Sequence, residues 1–585
     1  MVNFRLVSSV ALLAAGASAG PVKRDTAASN VGLSTSDVYP PAGTTVDSSL
    51  FPPESVVGYQ QATPTGVEPF AIATAASYAT HTDIYPLVVP QPSSTGSSKS
   101  SKEFHMAQYW GNLSPQYSVD SAVYGLPHAS PKLPDQCEVV QAHLYFRHGA
   151  RYPTTGAAPS SFAVKVQNAT QVGFEAKGPL AFLNEWQYQL GAELLTPFGR
   201  KQNFDFGVLA RQVYGKLLNN FTETGTLPVF RTQSQDRMVK TMNNFAAGFF
   251  GVPEYLTEVN IEIQPEATGL NNTGAPYSVC TNSNNHYGSV GSTAAAAFAS
   301  PYYEKTAARL NQYLSGNLTL KSTDISALLQ LCAYETDALG YSAFCPLFTE
   351  EEFQVFEQSY DISFSGNNGA QSPVAAAQGL GYLEEFVARL EHHVVESYDS
   401  TTNVTFDRNA VTFPTNQSIY ADSAHEASST SLCLLFHLPA SSQYASRGPI
   451  LTVDGLQVSI MDALTALNLT ALFEAVPTDR LSKPDEHTYV ASRIVPFGTQ
   501  LQIQVLECAP SVPTKQIRFI LNDAVLPIHK SYPGCNEDPN GLCAYDTVLE
   551  ALKNRISEID FEYDCFGNYT LPTYGQVTDG RAPRP

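Results

Sequence analysis

The chain has 585 residues, about four times the ~150 residues of a typical domain, so more than one compact unit is expected. Asp and Glu (54) outnumber Lys and Arg (33), and the net charge of −21 argues against nucleic-acid binding, which needs a basic surface. The net charge does not exclude a small anionic substrate, because the field of a local arginine cluster can outweigh that of a distant acidic surface.

The N-terminal segment has the features of a secretory signal. Arg5 supplies positive charge, residues 6–15 are apolar, and residues 17–19 (Ala-Ser-Ala) form a small-residue cleavage site. The apolar run is shorter than the ~20 residues that a spanning helix needs, and no other stretch qualifies as a membrane span. We therefore predict a signal peptide at 1–19 and a protein that is secreted to the extracellular space or cell wall.

The next segment, residues 20–104, is rich in Ser, Thr, Ala, Pro and Gly and sustains neither a helical nor a strand period. This composition is typical of a pro-region or a flexible stalk. Nine N-x-S/T sequons predict N-glycans, which fits export to a compartment that permits disulfides. They begin at Asn112, Asn168, Asn220, Asn271, Asn317, Asn403, Asn416, Asn468 and Asn568.

The folded region, 105–585, opens with an apolar run of strand length at residues 139–146, which a glycine-containing turn ends. Residues 375–397 place apolar side chains at helical spacing, and further strands are expected at 418–421, 501–506 and 517–521. Residues from about 180 to 345 are mostly helix-like. The pattern predicts an α/β domain at about 105–175, 225–265 and 345–567, with a helical insertion at about 176–224 and 266–344.

Residues 147–153 read RHGARYP and follow the first strand directly. Ligands of open α/β sheets bind beyond the carboxyl ends of the strands, so a site is expected there. The guanidinium groups of Arg147 and Arg151 match phosphate oxygens in bidentate geometry, and His148 between them can attack phosphorus to form a phosphohistidine. Gly149 lets the backbone approach closely. A histidine in a basic loop is the alternative, but five fixed letters rarely occur by chance.

This box resembles the RHGxRxP motif of the histidine acid phosphatases of the histidine phosphatase superfamily, most closely the fungal phytase and acid phosphatase branch. The resemblance covers most of residues 135–567. It implies a three-layer α/β domain of the phosphoglycerate mutase-like type, a smaller inserted and mostly α-helical domain, and a mechanism without metal or cofactor. The supporting stretches are LTPFG at 195–199, FCPLFT at 344–349, QGLGY at 378–382, TFP at 412–414, IYAD at 419–422 and NDAVLP at 522–527.

The resemblance also implies a third arginine in the phosphate cage and a His-Asp box. We assign the arginine to Arg231, which ends the next apolar strand; a surface arginine at a strand end is the alternative. The box follows the strand at 418–422, where His425 would help to hold the phosphate. Its Asp would protonate the leaving alkoxide, which needs a protonated carboxyl group and so favours acid pH.

The His-Asp box is interrupted in this chain. Glu426 follows His425, whereas Asp454, which resembles the start of the next family segment, follows Val453. Deleting residues 426–453 would restore a His-Asp pair. The proton donor is therefore Glu426 or Asp454, and the segment is either an extra insertion, such as a retained intron, or a genuine surface loop.

The same resemblance implies that eight cysteines form four disulfides. The ninth, Cys433, lies inside the interrupting segment 426–453. The implied pairs are Cys137 with Cys508, Cys280 with Cys565, Cys332 with Cys345, and Cys535 with Cys543.

Three functions remain open. The first is a secreted acid phosphomonoesterase acting on a small-molecule phosphate monoester, and the second is a phytase acting on myo-inositol hexakisphosphate. The third is a catalytically impaired phosphate-binding relative, which results if the extra segment displaces the proton donor. Phytases of this branch carry a lysine-rich run just after the box, whereas residues 154–161 are uncharged here, which favours the first function. His392 and His393 are adjacent on a helix and point apart, so they do not predict a metal site.

Overall fold

The computed structural model describes residues 104–584 except 268, 398, 426–458 and 510–512. The predicted signal peptide (1–19) and, apart from Phe104, the predicted pro-region (20–104) lie outside these residues, as does the interrupting segment 426–453. Among the residues described, no helix is both long enough and apolar enough to cross a membrane.

The described strands are β1 (Cys137–Arg147), β2 (Phe174–Ala176), β3 (Val229–Gln233), β4 (Asn260–Gln264), β5 (Leu314–Gly316), β6 (Ile419–Ala424), β7 (Gln500–Cys508), β8 (Lys515–Leu521), β9 (Ala524–Val525) and β10 (Cys543–Ala544). The α-helices are α1 (Ala158–Val172), α2 (Pro197–Tyr214), α3 (Asn219–Thr224), α4 (Asp236–Phe250), α5 (Val290–Asn311), α6 (Ser322–Leu339), α7 (Glu350–Asn367), α8 (Ala375–Glu391), α9 (Val404–Asp407), α10 (Ser459–Ala466), α11 (Ala491–Ile494), α12 (Tyr545–Glu558) and α13 (Phe561–Phe566).

Eight strands form one mixed sheet in the order β10-β8-β7-β1-β6-β3-β4, with β9 paired to β8. Strands β1, β6, β3 and β4 run parallel to one another, β7 pairs antiparallel with β1, and β8, β9 and β10 continue the antiparallel part of the sheet. The four parallel strands therefore end at the same edge of the sheet. Strands β2 and β5 form a separate antiparallel pair.

Helices cover both faces of the sheet, and β1 is therefore buried on both faces from Gln141 onward. On one face Phe146 contacts Phe206 of α2 and Phe245 of α4, with ring centroids 5.2 and 4.7 Å apart. On the other face Tyr145 stacks on Tyr382 of α8 at 4.1 Å, and α8 packs against α10 and α12. Burying each such side chain stabilises the fold by ~1.5–3 kcal/mol. The predicted three-layer α/β fold is confirmed.

The helical region packs beside the sheet domain. Helix α5 packs against α6 and α7, and α6 packs against α1. Helix α2, which we predicted in the helical insertion, lies on the sheet instead because its apolar face meets α4. Helix α8 ends at Glu391 rather than near residue 397, where His392 adopts a left-handed conformation with φ of 58°. The domain boundaries themselves stay a prediction.

All four disulfides implied by the resemblance are present in the fold. They join Cys137 to Cys508, Cys280 to Cys565, Cys332 to Cys345, and Cys535 to Cys543. The first lies across the β1–β7 pair, where the two cysteines are direct partners in the register. The ninth cysteine, Cys433, lies outside the described residues.

Candidate active site

The candidate site lies at the edge of the sheet where the four parallel strands end. His148 follows β1, His425 follows β6, Arg237 comes four residues after β3, and Glu266 comes two residues after β4. Parallel strands place their carboxyl ends side by side, which is where open α/β sheets bind ligands. Residues far apart in the sequence therefore meet here.

His148 is fully buried, and its Nδ1 lies 2.8 Å from the carbonyl oxygen of Gly149. A carbonyl oxygen can only accept a hydrogen bond, so Nδ1 carries the proton in the neutral ring. The unprotonated nitrogen is then Nε2, which has the lone pair that a nucleophile needs. The ring lies edge-on to that of His425, with centroids 6.0 Å apart.

The guanidinium groups of Arg147 and Arg151 are buried and oriented by backbone oxygens. Nη1 of Arg147 donates to the carbonyls of Asn112 (2.5 Å) and Val495 (2.8 Å), and Nη1 of Arg151 donates to the carbonyl of Tyr152 (3.0 Å). Arg147 also lies over the ring of Phe497, 4.3 Å from its centroid. These carbonyl and aromatic contacts orient the guanidinium groups at the end of β1.

The loop that carries His148 is packed directly on the start of helix α2. A Cβ added to Gly149 would collide with the carbonyl oxygen of Gly199, and a Cβ on Gly199 would collide with that of Ala150. Thr196 caps the helix by accepting a hydrogen bond from the amide of Gly199 (3.0 Å). Glycine is therefore needed in both the RHGARYP and the LTPFG stretches.

His425 lies between a carboxylate and a guanidinium. Its Nε2 is 3.1 Å from both carboxylate oxygens of Glu266, and its Nδ1 is 3.4 Å from Nη2 of Arg237. Burial alone would raise the pKa of Glu266, but His425 and Arg237 lower it below its ordinary value. Glu266 is therefore the anionic partner of this group.

Arg237 is tied to the loop after the RHGARYP box through Glu193. Its Nη1 lies 3.0 Å from Oε2 of Glu193, whose Oε1 accepts from the amide of Thr155 (3.0 Å). Glu193 is buried and holds φ at +64°, a conformation that side-chain-bearing residues rarely adopt. Strained residues of this kind concentrate at functional sites. We call Arg147, His148, Arg151, Arg237 and His425 the phosphate pocket.

Comparison with known proteins agrees with this geometry. Residues 138–522 match the profile of the histidine phosphatase superfamily (branch 2). The chain belongs to that superfamily. Phytase A of Aspergillus oryzae is 30% identical over 463 residues, which cover 76% of this chain and 88% of the relative. Phytase A of Aspergillus fumigatus is 30% identical over 456 residues, with 76% and 87% covered.

The solved structures add support for the fold of this histidine phosphatase. The crystal structure of the phytase from D. castellii matches with a TM-score of 0.60 and 22% identity, and covers 81% of this chain and 90% of that chain. At that identity the likeness concerns the fold alone.

The structure does not bring Arg231 into the phosphate pocket of this histidine phosphatase. Its guanidinium pairs with Glu262 (3.2 Å), Glu385 (3.0 Å) and Asp407 (3.0 Å). On the sheet Arg231 is opposite Asp422, three residues before His425, or ~10 Å along the strand. The assignment of Arg231 to the cage is thus corrected: three buried carboxylates hold it away from the strand ends.

These carboxylates belong to a larger buried group, which we call the Arg231 cluster: Arg231, Arg389, Glu262, Glu385, Asp407 and Asp422. Arg389 pairs with Asp422 and lies over the rings of Phe413 and Tyr420. Burial raises the pKa of Glu262 to about 7 and that of Glu385 to about 8. The cluster therefore holds protons at acid pH that it loses near neutral pH.

Neither predicted proton donor can be placed, because Glu426 and Asp454 lie outside the described residues. The two flanks of the segment that contains them are adjacent, since the amide of Ile460 lies 3.4 Å from the carbonyl oxygen of His425. The chain therefore leaves and returns at one point beside the pocket.

Sequence reasoning missed Arg237, Glu193 and Glu266. A signal for Arg237 was available, because it opens the helix that follows a parallel strand, and such helix starts face the ligand edge of the sheet. Glu266 could have been found in the same way, after the alternating strand Asn260–Gln264. No local pattern marks Glu193.

Proposed function

We propose that this histidine phosphatase is a secreted acid phosphomonoesterase that works through a phosphohistidine on His148. The observation that carries the proposal is the orientation of His148, whose Nδ1–H donates to Gly149 and leaves Nε2 as the nucleophile beside Arg147 and Arg151. A nucleophile, oriented cations and a shared sheet edge are what a phosphoryl-transfer site needs.

The first step follows from these positions. Nε2 of His148 attacks the phosphorus of the monoester, and the bond from phosphorus to the ester oxygen breaks. A carboxylic acid gives its proton to the leaving alkoxide, which departs as the alcohol. Arg147, Arg151 and Arg237 stabilise the charge on the three outer phosphate oxygens.

The second step regenerates the enzyme. Water attacks the phosphorus, the carboxylate formed in the first step takes the water proton, and the nitrogen–phosphorus bond breaks with its electron pair returning to Nε2. Inorganic phosphate then leaves the pocket. Neither step needs a metal or a cofactor.

In this scheme Arg237 takes the role that we first assigned to Arg231, and His425 binds a phosphate oxygen beside it. The support for Arg237 is its 3.4 Å contact with His425 and its link through Glu193 to the loop of the nucleophile. Its buried guanidinium is oriented in advance, so little rearrangement is needed when phosphate binds.

The proton donor is Glu426 or Asp454, and we propose that residues 426–453 are an extra insertion. Two facts support an insertion: the flanks meet at His425 and Ile460, and the segment contains Cys433, the ninth cysteine, beyond the eight that form the four disulfides of the described residues. Deletion of 426–453 joins His425 to Asp454. If the deleted protein hydrolyses phosphate monoesters faster than the full chain, Asp454 is the donor; if it loses activity, Glu426 is.

A phytase is the second candidate, because the two Aspergillus relatives named above are phytases. The segment 154–161, which runs into the start of α1, argues against a phytase because it carries no charge. The next lysine along α1, Lys165, pairs with Asp324 at 2.6 Å. A paired lysine offers less attraction to a highly anionic substrate than an unpaired one. We therefore expect kcat/KM for p-nitrophenyl phosphate to exceed that for phytate, and the reverse order would establish a phytase.

The protein is exported and carries N-glycans on exposed sequons. Four sequon asparagines are buried or half-buried, and we expect them to carry no glycan: Asn112, Asn271, Asn403 and Asn468. Five are exposed: Asn168, Asn220, Asn317, Asn416 and Asn568. Enzymatic deglycosylation in heavy-oxygen water, followed by peptide mass spectrometry, should label the exposed group alone.

Activity from pH 3 to 7 on p-nitrophenyl phosphate tests the proposed function. We expect hydrolysis that is strongest in the acid range and absent from His148→Ala. Phosphate binding without turnover would instead identify the impaired relative.

A further inference from the structure

Glu266 is a buried carboxylate at the pocket that the hydrolytic steps above do not use. We propose that Glu266 is a positioning residue: it fixes the tautomer of His425 and thereby the place of Arg237 in the phosphate pocket. The inference rests on the proposed function, which it extends to a residue that touches neither the phosphate nor the leaving group.

The contacts of His425 decide its tautomer. A guanidinium can only donate, so the Nδ1 that lies 3.4 Å from Arg237 must accept, and the proton of the neutral ring is on Nε2. That proton points between the two oxygens of Glu266, each 3.1 Å away. With the proton on Nδ1 instead, two N–H groups would face each other across the contact with Arg237.

Glu266 is itself held from the opposite side. The side-chain amide of Gln235 donates to it at 2.8 Å, the backbone amide of Gln235 at 3.3 Å and the hydroxyl of Tyr277 at 3.1 Å. Its own amide donates to Oγ of Ser234 at 3.0 Å, which ties the residue to the end of β3. A carboxylate that is held by several hydrogen bonds can fix the orientation of the imidazole ring that it contacts.

The charge of Glu266 suits positioning and not proton donation. His425 and Arg237 keep its carboxyl ionised against the effect of burial, whereas a general acid must enter the reaction protonated. One negative charge next to His425 also favours the Nε2–H tautomer over its alternative. Loss of this charge should therefore disturb the site without removing any group that touches the substrate.

The test compares two carboxylate-to-amide changes at neighbouring positions. Glu266→Gln keeps the size of the side chain and removes its charge. Glu262→Gln is the matched control on β4, four residues earlier, where the partner is Arg231 and the carboxyl is already protonated at pH 5 because burial raises its pKa to about 7. Inhibition by inorganic phosphate, KM and kcat are measured for p-nitrophenyl phosphate at pH 5.

In Glu266→Gln we expect the inhibition constant for phosphate and KM to rise together by ~10-fold, while Glu262→Gln stays within ~2-fold of the wild type. A merely structural role would lower the active fraction and leave both constants unchanged. Unchanged constants in well-folded Glu266→Gln, or an equal rise in both variants, would overturn the proposal.

Two further measurements keep the test decisive. Tyr277→Phe removes one donor to Glu266 and leaves His425 and Arg237 in place; a rise of ~2–3-fold in the phosphate constant supports the proposal, and no rise counts against it. If the wild type proves inactive, the proposed function fails by itself. Calorimetric binding of inorganic phosphate to the wild type, Glu266→Gln and Glu262→Gln then still decides the role of Glu266, by the same expected ratios.

Discussion

The phosphate pocket lies at the carboxyl ends of the parallel strands, whereas the Arg231 cluster lies within β3, β4 and β6 and on helices α8 and α9. The two regions are built from the same kinds of residue but pair their arginines differently. Both bury arginines beside carboxylates. In the cluster two arginines face four carboxylates, all within the sheet–helix layer. In the pocket Arg147 and Arg151 are oriented by carbonyl oxygens, and Arg237 by Glu193 and His425.

The difference shows that an arginine's role follows from its partners rather than from its strand. Three carboxylates surround Arg231 and oppose an incoming anion, whereas the carbonyl oxygens that contact Arg147 and Arg151 are uncharged acceptors. The excess of carboxylates in the cluster has a second effect, because burial then raises the pKa of Glu262 and Glu385. We propose that the first region binds phosphate, whereas the second takes up protons as the pH falls.

The largest expected effect is that of His148→Ala, which should change activity in the pocket but not the stability that the cluster provides. Removing the nucleophile should lower kcat by ~1,000-fold or more, which corresponds to at least ~4 kcal/mol of transition-state stabilisation, without changing the melting temperature by more than a few degrees. Initial rates on p-nitrophenyl phosphate and thermal unfolding of the same sample check both parts. Residual activity near the wild-type level would place the nucleophile elsewhere.

Arg231→Met should act on stability instead. It leaves Glu262, Glu385 and Asp407 buried without their shared cation, which lowers the free energy of unfolding by ~3–5 kcal/mol at pH 7. Denaturant unfolding measures this loss. The loss should shrink at pH 5, because the carboxylates take up protons there, and kcat per folded molecule should match the wild type. A large fall in kcat at pH 5 would return Arg231 to the pocket.

Arg237→Lys should lower activity rather than stability, in contrast to Arg231→Met. The lysine keeps the charge but cannot contact Glu193 and His425 at once as the guanidinium does, so kcat/KM should fall by ~10–100-fold, or ~1.4–2.7 kcal/mol. The unfolding free energy should change by less than the kinetic effect. Equal activity of Arg237→Lys and the wild type would show that another residue completes the cage.

The smallest effect expected, counted per pH unit, concerns the titration of the Arg231 cluster. Burial raises the pKa of Glu385 to about 8, from 4.5, so between these values the folded protein binds a proton that the unfolded chain has released. The contribution of Glu385 to stability therefore falls as the pH rises from about 4.5 to about 8. Glu385→Gln should reduce this slope by up to ~1.4 kcal/mol per pH unit. Melting temperatures of both proteins from pH 4 to 9 measure it, and a Glu385→Gln variant whose stability changes with pH as steeply as the wild type's contradicts the account.

Much of the fold could be read from the sequence because its signals are local. The apolar run of β1, the amphipathic helix α8 and the strands β7 and β8 each carry their own periodicity. The RHGARYP box is contiguous, so Arg147, His148 and Arg151 could be found together. The disulfides followed from the resemblance to a family rather than from spacing.

The rest of the site could not be read in this way, because it depends on contacts between distant segments. Arg231 and Arg237 are six residues apart, and only Arg231 lies in a stretch whose sequence predicts a strand. The two arginines differ in their partners: carboxylates on β4, α8 and α9 contact Arg231, whereas Glu193, which precedes α2, contacts Arg237. Such partners become visible only when the sheet order and the helix packing are known.

A crystal structure of the enzyme with inorganic phosphate at acid pH tests the central claim most directly. The account predicts phosphorus ~3–3.5 Å from Nε2 of His148, with the phosphate oxygens bound by Arg147, Arg151 and Arg237 and with Arg231 still paired to its three carboxylates. A phosphate bound by Arg231, or one that binds away from His148, would contradict it.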